Sequence, residues 1–299
     1  MDGLTIDQRY GYIADTLAQY VHTGWEKIDE TNVYQERNAA LYAILHTMVQ
    51  EYMLPNSRLE GQEHFLSFIE QVRAGKKGII LMEHYSNLDL PIFASLLEHA
   101  DEPAIREIPE RLVAIAGMKL NEEHSMIRAL AQAFTRIVIY PNRTLDTIDD
   151  PTVRAQEELR CRIINRAAMR VLHTVRQQGK IVLVFPSGTR YRPGNPETKQ
   201  AVREIDSYLR IFDIVIFVSI NGCCLRIDMS KAHEMIADKL YRDTVIVASS
   251  PVFECADFRK ETIESTGTSD PQQAIAQRIT ALLETQHTQY EQLRLSITH

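Results

Sequence analysis

The sequence predicts an α/β fold: a mixed, largely parallel sheet covered by helices on both faces, with a small N-terminal helical bundle. Three observations carry this. Short apolar runs at 78–83, 112–116, 136–140, 180–185, 214–220 and 244–249 alternate with longer stretches of helical spacing. The runs are mainly apolar instead of alternating, as strands covered on both faces are. Residues 1–75, in contrast, show only helical spacing. The expected organisation is therefore a bundle over 1–75 and an α/β domain over 76–299.

Taken in order, the first region repeats apolar residues at helical intervals. Tyr10, Ile13, Leu17 and Tyr20 form one set, Leu41, Ile44, Leu45, Met48 and Tyr52 a second, and Phe65, Phe68, Ile69 and Val72 a third. Pro55-Asn56-Ser57 separates the last two. After Gly75-Lys76-Lys77 the strand runs begin. Helices are predicted between them near 88–99, 124–134, 152–178, 197–210 and 230–240, the longest with Ile163, Ala167, Val171 and Val175 on one face. A last helix is predicted at 271–293, carrying Ile275, Ile279, Leu282 and Leu283. Glu264 to Pro271 reads as the most mobile loop. No internal repeat or low-complexity segment is present.

Composition sets limits. At 299 residues the chain can bury a sizeable core, and 44% apolar with 24% charged residues is ordinary for a folded protein. A formal net charge of -7 argues against nucleic acid as the main partner. Cys161, Cys223, Cys224 and Cys255 lack metal-ligand spacing and read as reduced, mostly buried thiols. The N-terminus lacks the basic and apolar regions of a signal peptide. No apolar run approaches the ~18 residues of a membrane span. A soluble, cytoplasmic protein is expected, touching a membrane at most peripherally.

Two motifs sit where apolar runs end, at the strand C-termini where α/β sheets gather reactive groups. The first is His84-Tyr85-Ser86-Asn87-Leu88-Asp89, an H-x-x-x-x-D pattern. With ten His and sixteen Asp one chance match is unremarkable, and a second, His233 to Asp238, is present. The second lies in the stretch predicted as helix, where residues five apart diverge by about 140° around the axis. His84 instead follows a strand and precedes a helix, so the turn can bring Asp89 back to the imidazole. A histidine oriented by a carboxylate is a general-base arrangement that needs no nucleophilic Ser or Cys.

The second motif is Pro186-Ser187-Gly188-Thr189-Arg190-Tyr191-Arg192-Pro193. Gly188 permits a tight turn, and Arg190 and Arg192 offer forked donors suited to a phosphate. It is not a nucleotide P-loop. Two further strands complete the set: 137–140, followed by Pro141-Asn142-Arg143, and the apolar run 214–220, whose end is suited to an acyl channel.

These four blocks, in this order across 78–220, resemble the glycerolipid acyltransferases. The chain is most similar to the soluble glycerol-3-phosphate 1-O-acyltransferases of the plastid type, whose P-S-G-G-R-D-R-P turn is matched at six of eight positions by 186–193. The resemblance implies an enzyme that moves a fatty acyl group from acyl-ACP or acyl-CoA to the sn-1 hydroxyl of glycerol-3-phosphate, giving lysophosphatidate for phospholipid synthesis. His84 would be the base and Asp89 its orienting carboxylate. Arg143, Arg190 and Arg192 would bind phosphate, with Gly188 and Thr189 in the substrate-binding turn. No metal or cofactor is implied. The location would be cytoplasmic, or plastid stroma in a plant-type organism. Where the family has a basic pair after the third strand, this chain has Arg143-Thr144. An acidic carrier protein would need a basic docking patch, for which Lys76-Lys77 and Lys119 are candidates.

The alternative within the family is 1-acyl-glycerol-3-phosphate acyltransferase, although Ser187 replaces the glutamate typical of that branch. A serine hydrolase or thioesterase using Ser86 or Ser187 lacks a G-x-S-x-G elbow. A non-enzymatic phospholigand-binding module gives His84 and Asp89 no task.

Overall fold

The computed structural model describes residues 2–122, 124–231 and 234–297, with side chains excepted at 122, 125, 143 and 147. Its centre is a nine-stranded mixed sheet. In chain order the strands are β1 (Tyr34–Gln35), β2 (Arg58–Glu60), β3 (Gly78–Met82), β4 (Leu112–Gly117), β5 (Arg136–Ile139), β6 (Ile181–Val184), β7 (Ile214–Asn221), β8 (Ile246–Ser249) and β9 (Phe253–Glu254). Across the sheet they run β1-β5-β4-β6-β3-β7-β8-β2, with β9 also on β7. The five strands from β5 to β7 are mutually parallel. β1 pairs antiparallel to β5, β8 and β9 pair antiparallel to β7, and β2 runs parallel to β8.

The six apolar runs are thus the six long strands, and the expected α/β class is the observed one. Every residue of β3, β6, β7 and β8 is buried. Alternate residues serve opposite faces. Ile80 and Met82 pack with Leu45, Phe65, Phe68 and Phe93, whereas Ile79 and Leu81 pack with Leu172, Phe258, Ile275 and Ile279. Burying each such side chain contributes about 1.5–3 kcal/mol, which explains why the runs are mainly apolar, and the buried polar residues Ser219 and Asn221 of β7 are hydrogen-bonded.

The first 75 residues contribute helices Ala39–Tyr52 and Gln62–Arg73, as the spacing predicts, but also β1 and β2, the two outermost strands of the sheet. Strands of two and three residues leave no period to read. Helices Asp89–Glu98, Ser125–Ala131, Pro151–Gln177 and Pro271–Ile297 lie where expected. On Pro151–Gln177 the buried stripe is Cys161, Ile164, Ala167, Ala168, Leu172 and Val175, so Ala167 and Val175 face the core as expected, while Ile163 points outward.

Three predictions fail locally. The helix expected at 197–210 is a 3-10 turn, Pro196–Lys199, and a short helix, Ile205–Leu209, with extended chain between. There the Ala201 N–H donates to Thr280 Oγ1 at 3.0 Å and the Val202 N–H to the Pro186 carbonyl at 2.9 Å, so long-range partners replace the helical ones. The helix expected at 230–240 is replaced by the 3-10 turns Met229–Lys231 and Met235–Ala237 and the strand Lys239–Leu240. That strand pairs with Leu225–Arg226 and Leu4–Thr5 in a separate small sheet. His233 lies outside the described residues. Helix Cys255–Thr266 runs into the predicted loop at 264–271 and ends at Gly267, φ 57°. It buries only Cys255, Phe258 and Thr262, too sparse an apolar stripe to announce itself.

Candidate active site

β3 and β6 are parallel neighbours with Leu81 opposite Val184, so the segments leaving their C-terminal ends emerge side by side. His84 leaves β3 and Phe185 leaves β6. Their rings stack with centroids 3.9 Å apart. The Tyr191 N–H donates to the His84 carbonyl at 2.7 Å, tying the 186–193 turn to the H-x-x-x-x-D turn. Gly188 holds φ at 61°, a left-handed turn conformation that strains any residue with a Cβ.

Asp89 opens helix Asp89–Glu98, and the turn before it folds back as the spacing suggests. Its Oδ2 lies 2.9 Å from His84 Nδ1, and accepts the N–H groups of Tyr85 at 2.5 Å and Ser86 at 2.8 Å. Its Oδ1 accepts the Ser86 hydroxyl at 2.8 Å. Asp89 is 2% exposed. Four donors therefore fix a buried carboxylate against one imidazole nitrogen. With Nδ1–H donating to it, Nε2 carries the lone pair, the protonation a general base requires.

The serines are otherwise occupied. Ser86 Oγ donates to Asp89 and accepts the Leu88 N–H at 3.1 Å. Ser187 Oγ donates to the Thr189 carbonyl at 2.7 Å. Neither hydroxyl is bonded to the His84 ring.

The arginines of the turn differ from each other. Arg190 is buried and its guanidinium forms an ion pair with buried Asp238. Burial pushes the Asp238 carboxyl upward and Arg190 opposes the shift. Asp238 is the aspartate of the second H-x-x-x-x-D pattern, and it reaches the site because a 3-10 turn ending in extended chain stands where an α-helix was expected. The loop also touches the first motif, with Asn87 Nδ2 3.5 Å from Met235 Sδ. Arg192 has its N–H on Thr198 Oγ1 at 2.9 Å, and its guanidinium has no ion-pair partner among the described residues. Arg143 lies in the 3-10 segment Asn142–Thr147 beyond β5, at the same sheet end, and its side chain lies outside the description.

Sequence reasoning missed a second carboxylate–imidazole pair. Glu83, the residue between β3 and His84, accepts from His287 Nδ1 at 2.9 Å and from the Ile220 N–H at 3.1 Å. The Tyr85 hydroxyl is 3.2 Å from Glu83 and 3.3 Å from His287 Nδ1. Burial, and then Glu83, push the Tyr85 phenol well above its usual range, keeping it a neutral donor. A small cleft here is lined by Glu83, His84, Tyr85, Ser187, Tyr191 and Lys199, among others. The Lys199 ammonium lies 4.7 Å from the Tyr191 ring centroid. No local signal marks His287, which is 204 residues from Glu83.

Of the three candidate carrier-docking lysines, Lys119 follows β4 at the sheet end that carries His84, and the other two lie elsewhere. Lys76 and Lys77 precede β3, at the end of the sheet opposite His84, and are paired with Glu254 and Asp213. Among the described residues no three His, Cys, Asp or Glu side chains converge as metal ligands do, and no helix is long and apolar enough to cross a membrane.

Residues 65–203 match the family model described as Acyltransferase, a span containing both His84–Asp89 and the 186–193 turn. No curated protein matches the chain.

Proposed function

We propose that this chain, whose residues 65–203 match the Acyltransferase family model, transfers a fatty acyl group from an acyl-ACP or acyl-CoA thioester to the sn-1 hydroxyl of glycerol-3-phosphate. The observation that carries the reading is the His84–Asp89 pair, held by four donors on a buried carboxylate and tied to the arginine-bearing turn.

In this reading His84 Nε2 takes the hydroxyl proton as the oxygen attacks the thioester carbonyl. The new C–O bond forms, the C–S bond breaks, and the imidazolium returns its proton to the departing thiolate. Asp89 stabilises the imidazolium in between. Transfer is direct, since Ser86 and Ser187 are engaged away from the imidazole. Arg192 is the arginine of the turn most open to a dianionic phosphate, with Gly188 and Thr189 shaping the backbone beneath, and Arg143 is retained as a phosphate ligand on the strength of the family resemblance alone. Arg190 binds the phosphate only by sharing its guanidinium with Asp238 or exchanging that partner.

The test is to offer purified protein glycerol-3-phosphate and lysophosphatidate in turn, each with acyl-CoA and acyl-ACP, without detergent or vesicles. The expected result is 1-acyl product from glycerol-3-phosphate. Preference for lysophosphatidate would reject the acceptor and keep the chemistry.

A further inference from the structure

Helix Pro151–Gln177 bears six arginines and two glutamates on a chain of net charge -7. Its buried stripe faces β5 and the core. The opposite side is built differently from an ordinary solvated face. At about 100° per residue, Leu159, Arg162, Ile163, Arg166, Arg170 and His173 fall within one arc of roughly 100°. Leu159 is 58% exposed and Ile163 41%, among the few large apolar side chains left in solvent. Arg166 and Arg170 have no ion-pair partner among the described residues, and Arg162 meets only Glu158, at 3.6 Å. The strip runs for about 20 Å along a convex helix.

We propose that this face docks the protein on an anionic lipid bilayer. Two demands coincide on one strip: unpaired guanidinium groups that favour anions, and aliphatic side chains that favour leaving water. The headgroup–acyl boundary of an anionic bilayer meets both, with arginines at the phosphates and Leu159 and Ile163 among the first methylenes. It also imposes no shape requirement, which suits a convex surface better than the groove a protein partner would have to supply. The helix begins beyond β5, at the sheet end that carries His84.

The experiment is co-sedimentation of the purified protein with phosphatidylcholine vesicles, alone or containing phosphatidylglycerol. Binding is expected only to the anionic vesicles and should weaken as salt is raised. Replacing Arg162, Arg166 and Arg170 together by Gln should weaken partitioning on the order of a hundredfold. The pair Leu159→Gln and Ile163→Gln should weaken it while leaving the salt dependence. Circular dichroism spectra matching wild type show both variants folded. Equal binding to neutral vesicles, no binding, or wild-type binding by the arginine variant would overturn the proposal. So would concentration-dependent dimerisation lost in the variants, since the face would then belong to a second copy. The assay reads no acyl transfer, so it succeeds or fails independently of the reaction proposed above.

Discussion

Glu83 and His287 meet at 2.9 Å across 204 residues of chain, locking the C-terminal helix to the residue immediately before His84. Tyr85 joins the two carboxylates. Its hydroxyl lies against Glu83, and its N–H donates to Asp89. His287 therefore acts on the chemistry through position. His287→Ala should lower kcat severalfold with a smaller change in acceptor KM, and lower the melting temperature. It leaves a buried carboxylate short of a donor, at a cost of about 1–3 kcal/mol. Glu83→Gln combined with His287→Ala should recover part of the stability. Unchanged kcat in His287→Ala would remove the positioning role.

At the proposed base, His84→Ala should reduce kcat on the order of 10²–10⁴-fold. Asp89→Asn should also be severely impaired, because it removes the acceptor that selects the imidazole tautomer. Glycerol-3-phosphate binding, read by calorimetry, should change little in either. Retained turnover in His84→Ala excludes the base assignment.

The Arg190–Asp238 pair separates stability from binding. Asp238→Ala strands a buried guanidinium and should destabilise by about 3–5 kcal/mol. Removing both partners should restore much of that stability, yet the double variant should still show a raised acceptor KM if Arg190 contacts the phosphate. A double variant with wild-type KM assigns the pair to structure alone, leaving Arg192 to the phosphate.

Direct transfer predicts no acyl-enzyme. Ser187→Ala should stay near wild-type activity, while Ser86→Ala should lose some through Asp89, which forfeits a hydrogen bond. Mass spectrometry after incubation with thioester donor alone should find no adduct. A stable increment on either serine would instead favour the hydrolase reading.

By itself the sequence determined the sheet's six long strands, because strands buried on both faces are mainly apolar runs. It also determined the His84–Asp89 contact and the Gly188 turn, because these are local: a turn of a few residues has few ways to close. It did not reveal β1 or β2, which are too short to show a period, or helix Cys255–Thr266, which buries too little. Nor did it reveal the fate of 230–240, whose apolar spacing suits a helix. Long-range strand pairing overrides that spacing and carries Asp238 to Arg190. Ile163 shows the same limit: periodicity places it on a helix, but only packing decides that Ile164 faces the core and Ile163 the solvent. Glu83 with His287, and Asp238 with Arg190, are decided by tertiary structure alone, because no local spacing encodes which distant side chain satisfies a buried charge.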